Sequence, residues 1–472
     1  MLTFAHPVCN GMRDWRARTT STIGQTPSSA LRTWVTHAWN GRLVALARRL
    51  ACSPQSSFPQ SLNGAELKGA YRFFDNTQVD TDGILAPHIT QTLDRMTAVP
   101  VVLAIQDTTE FNLSHLPATE GLGYGSGNNP RGFMMHSMLA VTPEGLPLGV
   151  LGMKTWVRPE EELGKKHQRK TRPVHEKESV KWLEGMAHLA ALKKRCAEPR
   201  FVCVGDRESD LYDLFAAERP AGVDWLIRAA VNRRARHPEG YLWEAVQATA
   251  PLGRTELLVP ARHNLPQRTA GLTLRCATVR LRPPRGRAKG LPEVDVFAIH
   301  AIEDAPPDGV EPIEWMLLSS VTTTTLDDIL ERLAWYARRW TIESWHRVLK
   351  SGCQVEARQF GSLDRFVRAT ALFAVISWRI LYATLLSRID ADLSCEVLLQ
   401  PVEWQALYCQ TQHTTKLPRQ VPSLKQAVLW IAMLGGYLNR KHDRPPGPTV
   451  IWRGFLVLHQ ITKMYRLFRQ NE

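Results

Sequence analysis

Two short apolar runs, Val101-Val102-Leu103-Ala104-Ile105 and Phe201-Val202-Cys203-Val204, constrain this chain more than any other feature of it. Four or five consecutive apolar residues, bounded by polar ones, read as strands buried on both faces, and such strands need helices on either side of the sheet. The neighbouring segments agree. Residues 134–141 and 146–156 flank Thr142-Pro143-Glu144-Gly145, a turn with the chemistry of an antiparallel hairpin. Residues 177–194 have a helical period, with Trp182, Leu183, Met186, Leu189 and Leu192 on one side. A helix over 209–217 and a strand over 225–228 follow. The order strand, hairpin, helix, strand, helix, strand predicts a mixed α/β sheet.

Both ends differ from this centre. Residues 1–30 are rich in Thr, Ser, Arg and Gly without a sustained period and read as an irregular lead-in. Helical spacing over 29–50 (Leu31, Trp34, Leu43, Leu46, Leu50) and over 65–74, broken at 53–61, predicts short helices with a basic face. Residues 235–310 interrupt the α/β order with β-like alternation, and 251–290 hold nine Arg or Lys against one acid, Glu256. The order resumes at Trp315-Met316-Leu317-Leu318. A long helical region from Leu326 follows, opened by a capping box at Thr325 and Asp328. Residues 390–472 are again helical, with Ser423 and Gln426 as a second box and Leu434-Gly435-Gly436 as a stop.

A hydrophobic content of 44% over 472 residues excludes wholesale disorder. Lys plus Arg is 59 against 45 Asp plus Glu, a formal charge of +14 that points to a polyanion, nucleic acid foremost. Eight cysteines without a CxxC pair suit reduced thiols. No stretch reaches the ~18 uncharged apolar residues of a membrane span, and the first fifteen residues lack an export signal. The expected location is therefore the cytoplasm, with no membrane partner.

Asp107 and Asp206 each stand just beyond an apolar run. Singly, such an aspartate is a turn or N-cap residue; paired outside strand ends of an α/β sheet, the two are candidates for a hard cation. The segment 335–350 carries Tyr336, Arg339, Glu343 and Lys350. At about 100° per residue these fall within roughly 60° of one helix face. A carboxylate between a guanidinium and an ammonium suits a metal held against a phosphodiester, since Arg clamps phosphate through paired N–H groups and Lys acts as a point charge.

Here the sequence resembles the DDE transposases of bacterial insertion sequences, in the Y-R-E-K group called the IS-four family, to which the Tn-five transposase belongs. The likeness runs from about residue 40 to the C-terminus. It includes Gly69-Ala70-Tyr71-Arg72-Phe73-Phe74, Asp107-Thr108-Thr109, Glu176-Lys177-Glu178-Ser179, Asp206-Arg207-Glu208-Ser209-Asp210 and Leu434-Gly435-Gly436. It implies an RNase H-like catalytic core over 81–389, a mixed sheet with helices, carrying a β-rich insertion at about 235–310. A helical DNA-binding domain (1–80) and a helical dimerisation domain (390–472) flank it. Asp107, Asp206 and Glu343 look like the catalytic triad, holding two Mg²⁺ ions for which Mn²⁺ substitutes. Trp315 corresponds to an aromatic that stacks a flipped base, Trp340 to one near the DNA hairpin, and Arg228 to a basic residue beside the site. The implied partners are double-stranded DNA, as transposon terminal inverted repeats and target, and a second copy of the chain. The implied activity is cut-and-paste transposition by nicking, hairpin formation, hairpin opening and strand transfer in a bacterial nucleoid.

Other features carry less. Gly121, Gly123, Gly125 and Gly127 precede a strand instead of opening a helix, so they form a loop and not a dinucleotide fingerprint. There is no P-loop, no HExxH and no zinc-finger spacing among fifteen histidines. The basic run 165–172 fits either a DNA contact or a solvated loop. Two rival functions remain: a catalytically silent DNA-binding protein or transposition inhibitor, and an RNase H-like nuclease without strand transfer.

Overall fold

The structure, a computed structural model, describes residues 3–4, 38–126, 130–162, 176–259, 266–287 and 290–469. The basic run 165–172, Gly127 and all of the lead-in but Thr3 and Phe4 lie outside the described residues. The centre is one mixed sheet. Strands β1 (Val101–Asn112), β2 (Arg131–Val141) and β3 (Pro147–Trp156) form an antiparallel meander. Strand β4 (Arg200–Gly205) runs parallel to β1, and β5 (Val223–Arg228) parallel to β4. The resulting order 3-2-1-4-5 is the expected RNase H-like sheet. The predicted turn is present: Gly145 has φ +100° and its N–H donates to Thr142 O at 2.9 Å, a conformation that glycine adopts without a Cβ penalty.

The insertion continues this sheet. Strands β6 (Gly253–Val259), β7 (Arg268–Leu281), β8 (Val294–Glu303) and β9 (Glu314–Ser319) add antiparallel to the far edge, β9 lying against β5. Thr3–Phe4 pairs with β6, so this part of the lead-in is extended strand and not irregular chain.

Helices cover the sheet. Helix α1 (Ala38–Cys52) buries Leu43, Leu46 and Leu50 while exposing Arg42, Arg48 and Arg49; α2 (Gly64–Asp75) buries Phe73 and Phe74 and exposes Lys68, Tyr71 and Arg72. Helix α3 (Thr81–Met96), absent from the sequence reading, packs on β3; Asp80 caps it by accepting from Gly83 N at 2.7 Å. Helix α4 (Val180–Arg195) covers the parallel strands.

The expected long helix from Leu326 is three pieces. Helix α5 (Leu326–Ala337) opens with the predicted Thr325–Asp328 capping box, α6 (Trp340–Arg347) follows a tight turn, and Val348–Gly352 is a π-turn in which Cys353 N donates to Val348 O. Helix α7 (Leu363–Ile389) is longer and more apolar than the sequence reading allowed. One 18-residue window meets the length and hydropathy of a membrane span, but 89% of that window is buried inside the protein. It is the core helix to which both ends of the chain attach. Arg358 lies 3.8 Å over the Phe373 ring and donates to Pro54 O at 2.7 Å, and Arg368 donates to Phe74 O at 2.9 Å. On the other side α8 (Pro401–Gln412), α9 (Leu424–Leu434) and α10 (Pro448–Arg469) pack together.

Candidate active site

Sheet register brings the two aspartates together. The β1–β4 ladder ends at Ile105↔Val204, and continuing it by two residues sets Asp107 beside Asp206. Asp107 does not end its strand, as the sequence reading had it. Strand β1 runs on to Asn112, paired only with β2, and Asp107 faces Ser137 across that ladder. It is therefore a rigidly held residue at the point where its other neighbour strand has stopped. Asp206 does follow β4, and it also serves as a cap: its Oδ1 accepts from Glu208 N at 2.9 Å at the start of the 207–209 turn. The local and the functional reading of this residue are compatible.

Helix α6 packs against β1 and adds the third carboxylate. Glu343 accepts from Arg339 at 2.7 Å, a partly exposed acid against a nearly buried base. Burial raises Asp107 to about 7; Asp206 and Glu343 push the same way, while Arg339 and the Thr108 N–H oppose them. All three acids thus share one electrostatic environment. Arg339 stacks 4.9 Å from the Trp340 ring, and its buried Nε–H meets no acceptor among the described residues.

Tyr336 also belongs to this cluster. Burial raises its phenol, Arg339 and Arg228 lower it, the latter through a hydrogen bond, and Asp206 raises it. Arg228 sits at the end of β5, where Nη2 donates to Glu314 O at 2.9 Å. Lys350 departs from the single-face picture. The π-turn carries it to the far end of β1, where Nζ donates to Glu110 O and lies 3.6 Å from Glu356. Trp315, on β9, is only 5% exposed and packs edge-on against Tyr336 with ring centroids 5.2 Å apart.

Two side chains here had no role in the sequence reading. Asp210 accepts from Ala230 N and Val231 N at 2.7 and 2.9 Å and binds Arg233 at 2.6 Å, tying the loop after β5 to the turn after β4. His346 stands one turn beyond Glu343 on α6, fully buried and held near pKa 3 by that burial and by Lys350. The Glu343-x-x-His346 spacing was the available signal; a search for zinc-type histidine pairs passes over it.

Oxygen donors in this number suit Mg²⁺ or Mn²⁺ better than zinc. Among the described residues no three such side chains close around one point, and Glu343 is held by Arg339. Carboxylate oxygens remain the donor type that such a cation takes. Two cavities are formed by the helical ends of the chain. A cleft of about 1730 Å³ separates α1 from α8 and α10, and a groove of about 920 Å³ runs between α8 and α10.

Sequence comparison covers the two ends of the chain. Residues 39–79 match the family model for a transposase DNA-binding domain, and residues 375–470 match the one for the transposase Tn5 dimerisation domain. The second match begins inside α7, so that helix is shared between the core and the C-terminal region. The chain thus carries a DNA-binding unit and a self-association unit on either side of the carboxylate cluster.

Proposed function

We propose that this chain, a Tn5-like transposase, cuts the ends of its element at Asp107, Asp206 and Glu343 and joins them to target DNA. The observation that carries the reading is the register placing Asp107 beside Asp206 with the Arg339–Glu343 pair against them. Arg339, with a buried N–H free of any acceptor among the described residues, would hold a phosphate oxygen of the scissile bond. Tyr336 and Arg228 would set the orientation of Arg339, and Lys350 would fix α6 on the end of β1. Mg²⁺ ions held by the three carboxylates would supply Lewis-acid polarisation of the phosphodiester. In each step an oxygen, first of water and then of a DNA 3′-hydroxyl, forms a bond to phosphorus as the opposite P–O bond breaks. On this reading the second hydroxyl attacks the partner strand, giving a hairpin end that water reopens before strand transfer.

The exposed cations of α1 and α2 would grip the terminal repeats. Pairing of two copies would use the free end of α10. Along that helix Ile451 and Leu458 are buried within the chain, whereas Met464 and Phe468 are 51% and 66% exposed beside the groove with α8.

The test compares Mg²⁺-dependent nicking of a labelled transposon end with gel-shift binding, for Asp107→Ala, Asp206→Ala and Glu343→Ala. Each should abolish cleavage and retain binding, because affinity comes mainly from phosphate contacts away from the site. Near-normal nicking by any one of them removes that residue from the triad. Wild-type protein that binds ends without ever nicking them would favour the silent DNA-binding alternative.

A further inference from the structure

We propose that His346 is a positioning residue for Asp107, presenting its Nδ1–H to the carboxylate while Ser137 fixes the ring from the other side. The inference rests on the metal-site reading of Asp107 given above. Three observations carry it. His346 is 6% exposed, its Nε2 lies 2.8 Å from Ser137 Oγ, and its Nδ1 lies 3.9 Å from Asp107 Oδ2. Ser137 is the residue directly across the β1–β2 ladder from Asp107. Trp345, the adjacent residue on α6, anchors that helix by donating from Nε1 to Ala374 O at 3.1 Å.

The chemistry follows from these positions. A separation of 3.9 Å is too long for a hydrogen bond, but a small turn of the carboxylate closes it. Opposite an ionised Asp107 a bare Nδ1 lone pair would be repelled, so the neutral ring keeps its proton on Nδ1. The Ser137 hydroxyl then donates to Nε2 and holds that tautomer. Histidine here stands behind a carboxylate that faces a cation, an outer partner that fixes the direction of a ligand oxygen.

The opposite face of β1 is pinned in the same manner. His136 bridges Thr108 Oγ1 at 3.0 Å and Gln106 Oε1 at 2.9 Å, so both residues flanking Asp107 are tied down. With the backbone fixed, the remaining freedom of Asp107 is rotation of its carboxylate, and His346 is the buried donor positioned to limit it. Glu343 and His346 are three residues apart on one helix, so a single element orders two of the three acids.

The test separates positioning from packing. Asparagine places its amide N–H where histidine has Nδ1–H, whereas glutamine reaches only as far as Nε2. His346→Asn, His346→Gln and Ser137→Ala are made in the full-length chain, with Asp107→Ala as reference, and Mn²⁺ binding is followed by its electron paramagnetic resonance signal. Thermal melting is recorded for each protein. Mn²⁺ affinity should fall about 10- to 100-fold in His346→Gln, the range for losing an outer-shell partner, and recover to within about threefold in His346→Asn. Ser137→Ala, which leaves the ring in place, should weaken binding several-fold. If packing were the whole role, the larger glutamine would serve better than asparagine, and that ranking overturns the proposal. So does unchanged Mn²⁺ affinity in both His346→Gln and Ser137→Ala. If Asp107→Ala itself binds Mn²⁺ like the wild type, the metal-site reading has failed, a result distinct from either of these.

Discussion

Arginine is abundant both in the β-rich insertion and around the carboxylates, but the two regions use it in opposite ways. Counted along the sequence, 251–290 is the most lopsided stretch of the chain. Folding β7 against β8 pairs three of its nine cations with acids on or just after the next strand. Asp295 lies directly across from Arg280 and binds it at 2.6 and 2.7 Å. Glu303 takes Arg268, and Asp304 stands 3.5 Å from Arg254. Around the carboxylates, burial disfavours the Arg228 cation, and Arg207 and Arg339 add like-charge repulsion. Among the described residues Arg339 has one carboxylate partner and an N–H without an acceptor. An exposed pair such as Arg280–Asp295 is worth about 0–1 kcal/mol. A desolvated guanidinium with one N–H left unpaired instead carries a cost that an added acceptor would relieve. Charge excess in sequence therefore does not by itself mark which cations stay unpaired in the folded chain.

The largest effect separates these regions directly. Arg339→Ala should slow end cleavage by about 10²- to 10³-fold, the range for removing one preorganised donor to developing charge. Arg280→Ala should leave cleavage within about twofold and stability within about 0.5 kcal/mol, as for surface changes in general. Quantitative nicking time courses and melting curves check both. Equal losses would abolish the distinction.

Metal and pH should act together at one region only. Asp107, raised to about 7 in the folded protein from an ordinary 3.8, binds its proton more tightly folded than unfolded. Its stabilising contribution is complete below the unfolded value and is lost as pH rises through about 7. A divalent cation needs the ionised form and offsets that loss. Added Mg²⁺ should accordingly raise Tm more at pH 8 than at pH 6, and Asp107→Asn should remove the difference. A Mg²⁺ shift independent of pH would contradict the shared environment of the three acids.

A smaller effect tests the insertion itself. Arg282 and Arg285 are exposed just beyond β7 and have no ion pair among the described residues. Replacing both with Ala should lower the slope of log K against log salt by up to about 1.8, two phosphates at about 0.9 each. The paired residues Arg268 and Arg280, replaced together, should leave the slope unchanged. The reverse outcome would mean that DNA displaces the acids of β8 and that the pairing is only a resting arrangement.

Sequence reading reached the strands, the hairpin turn, both capping boxes and the helical character of both ends, because each has a local signature: an uninterrupted apolar run, a Gly-bearing turn, a Thr or Ser three residues before its partner, a helical period. It failed where distant pairing decides. The length of β1 depends on β2, which supports 106–112 after β4 has ended, so Asp107 was placed beyond a strand that in fact continues through it. The break at 338–339 and the π-turn at 348–352 are invisible to a 3.6-residue period, so Lys350 was drawn onto a face it does not share. Helix α3 carries Pro87 in its interior, a residue that argues against a helix locally and is outvoted by packing on β3. The candidate site was legible as residue types and spacing. Its supports, Ser137 and Asp210, come from elements whose adjacency no spacing rule reveals.

Trp315→Phe is expected to have only a small effect, and it bears on what lies between the two regions, since Trp315 stands on the strand joining insertion to core. A side chain that stacks on a flipped base must offer an open face, and base–aromatic stacking is worth about 1–3 kcal/mol. Trp315 offers little surface: it is 5% exposed, and its ring meets Tyr336 edge-on in the usual geometry of a packed aromatic pair. Phe retains that pair and loses only part of the volume, so cleavage and hairpin formation should both stay within about threefold, with Tm lowered by a few degrees. Trp315→Ala enlarges the same effect without changing its kind: a truncated buried aromatic costs about 3–5 kcal/mol, read as a large fall in Tm, while nicking and hairpin formation slow in parallel. Following the two products separately, with a fluorescent base analogue near the transposon end, decides the matter. If Trp315→Ala keeps its melting temperature and slows only the hairpin step, by about 10- to 100-fold at 1.36 kcal/mol per decade, the ring leaves Tyr336 to meet DNA, and the closed arrangement is the state before the end is bent.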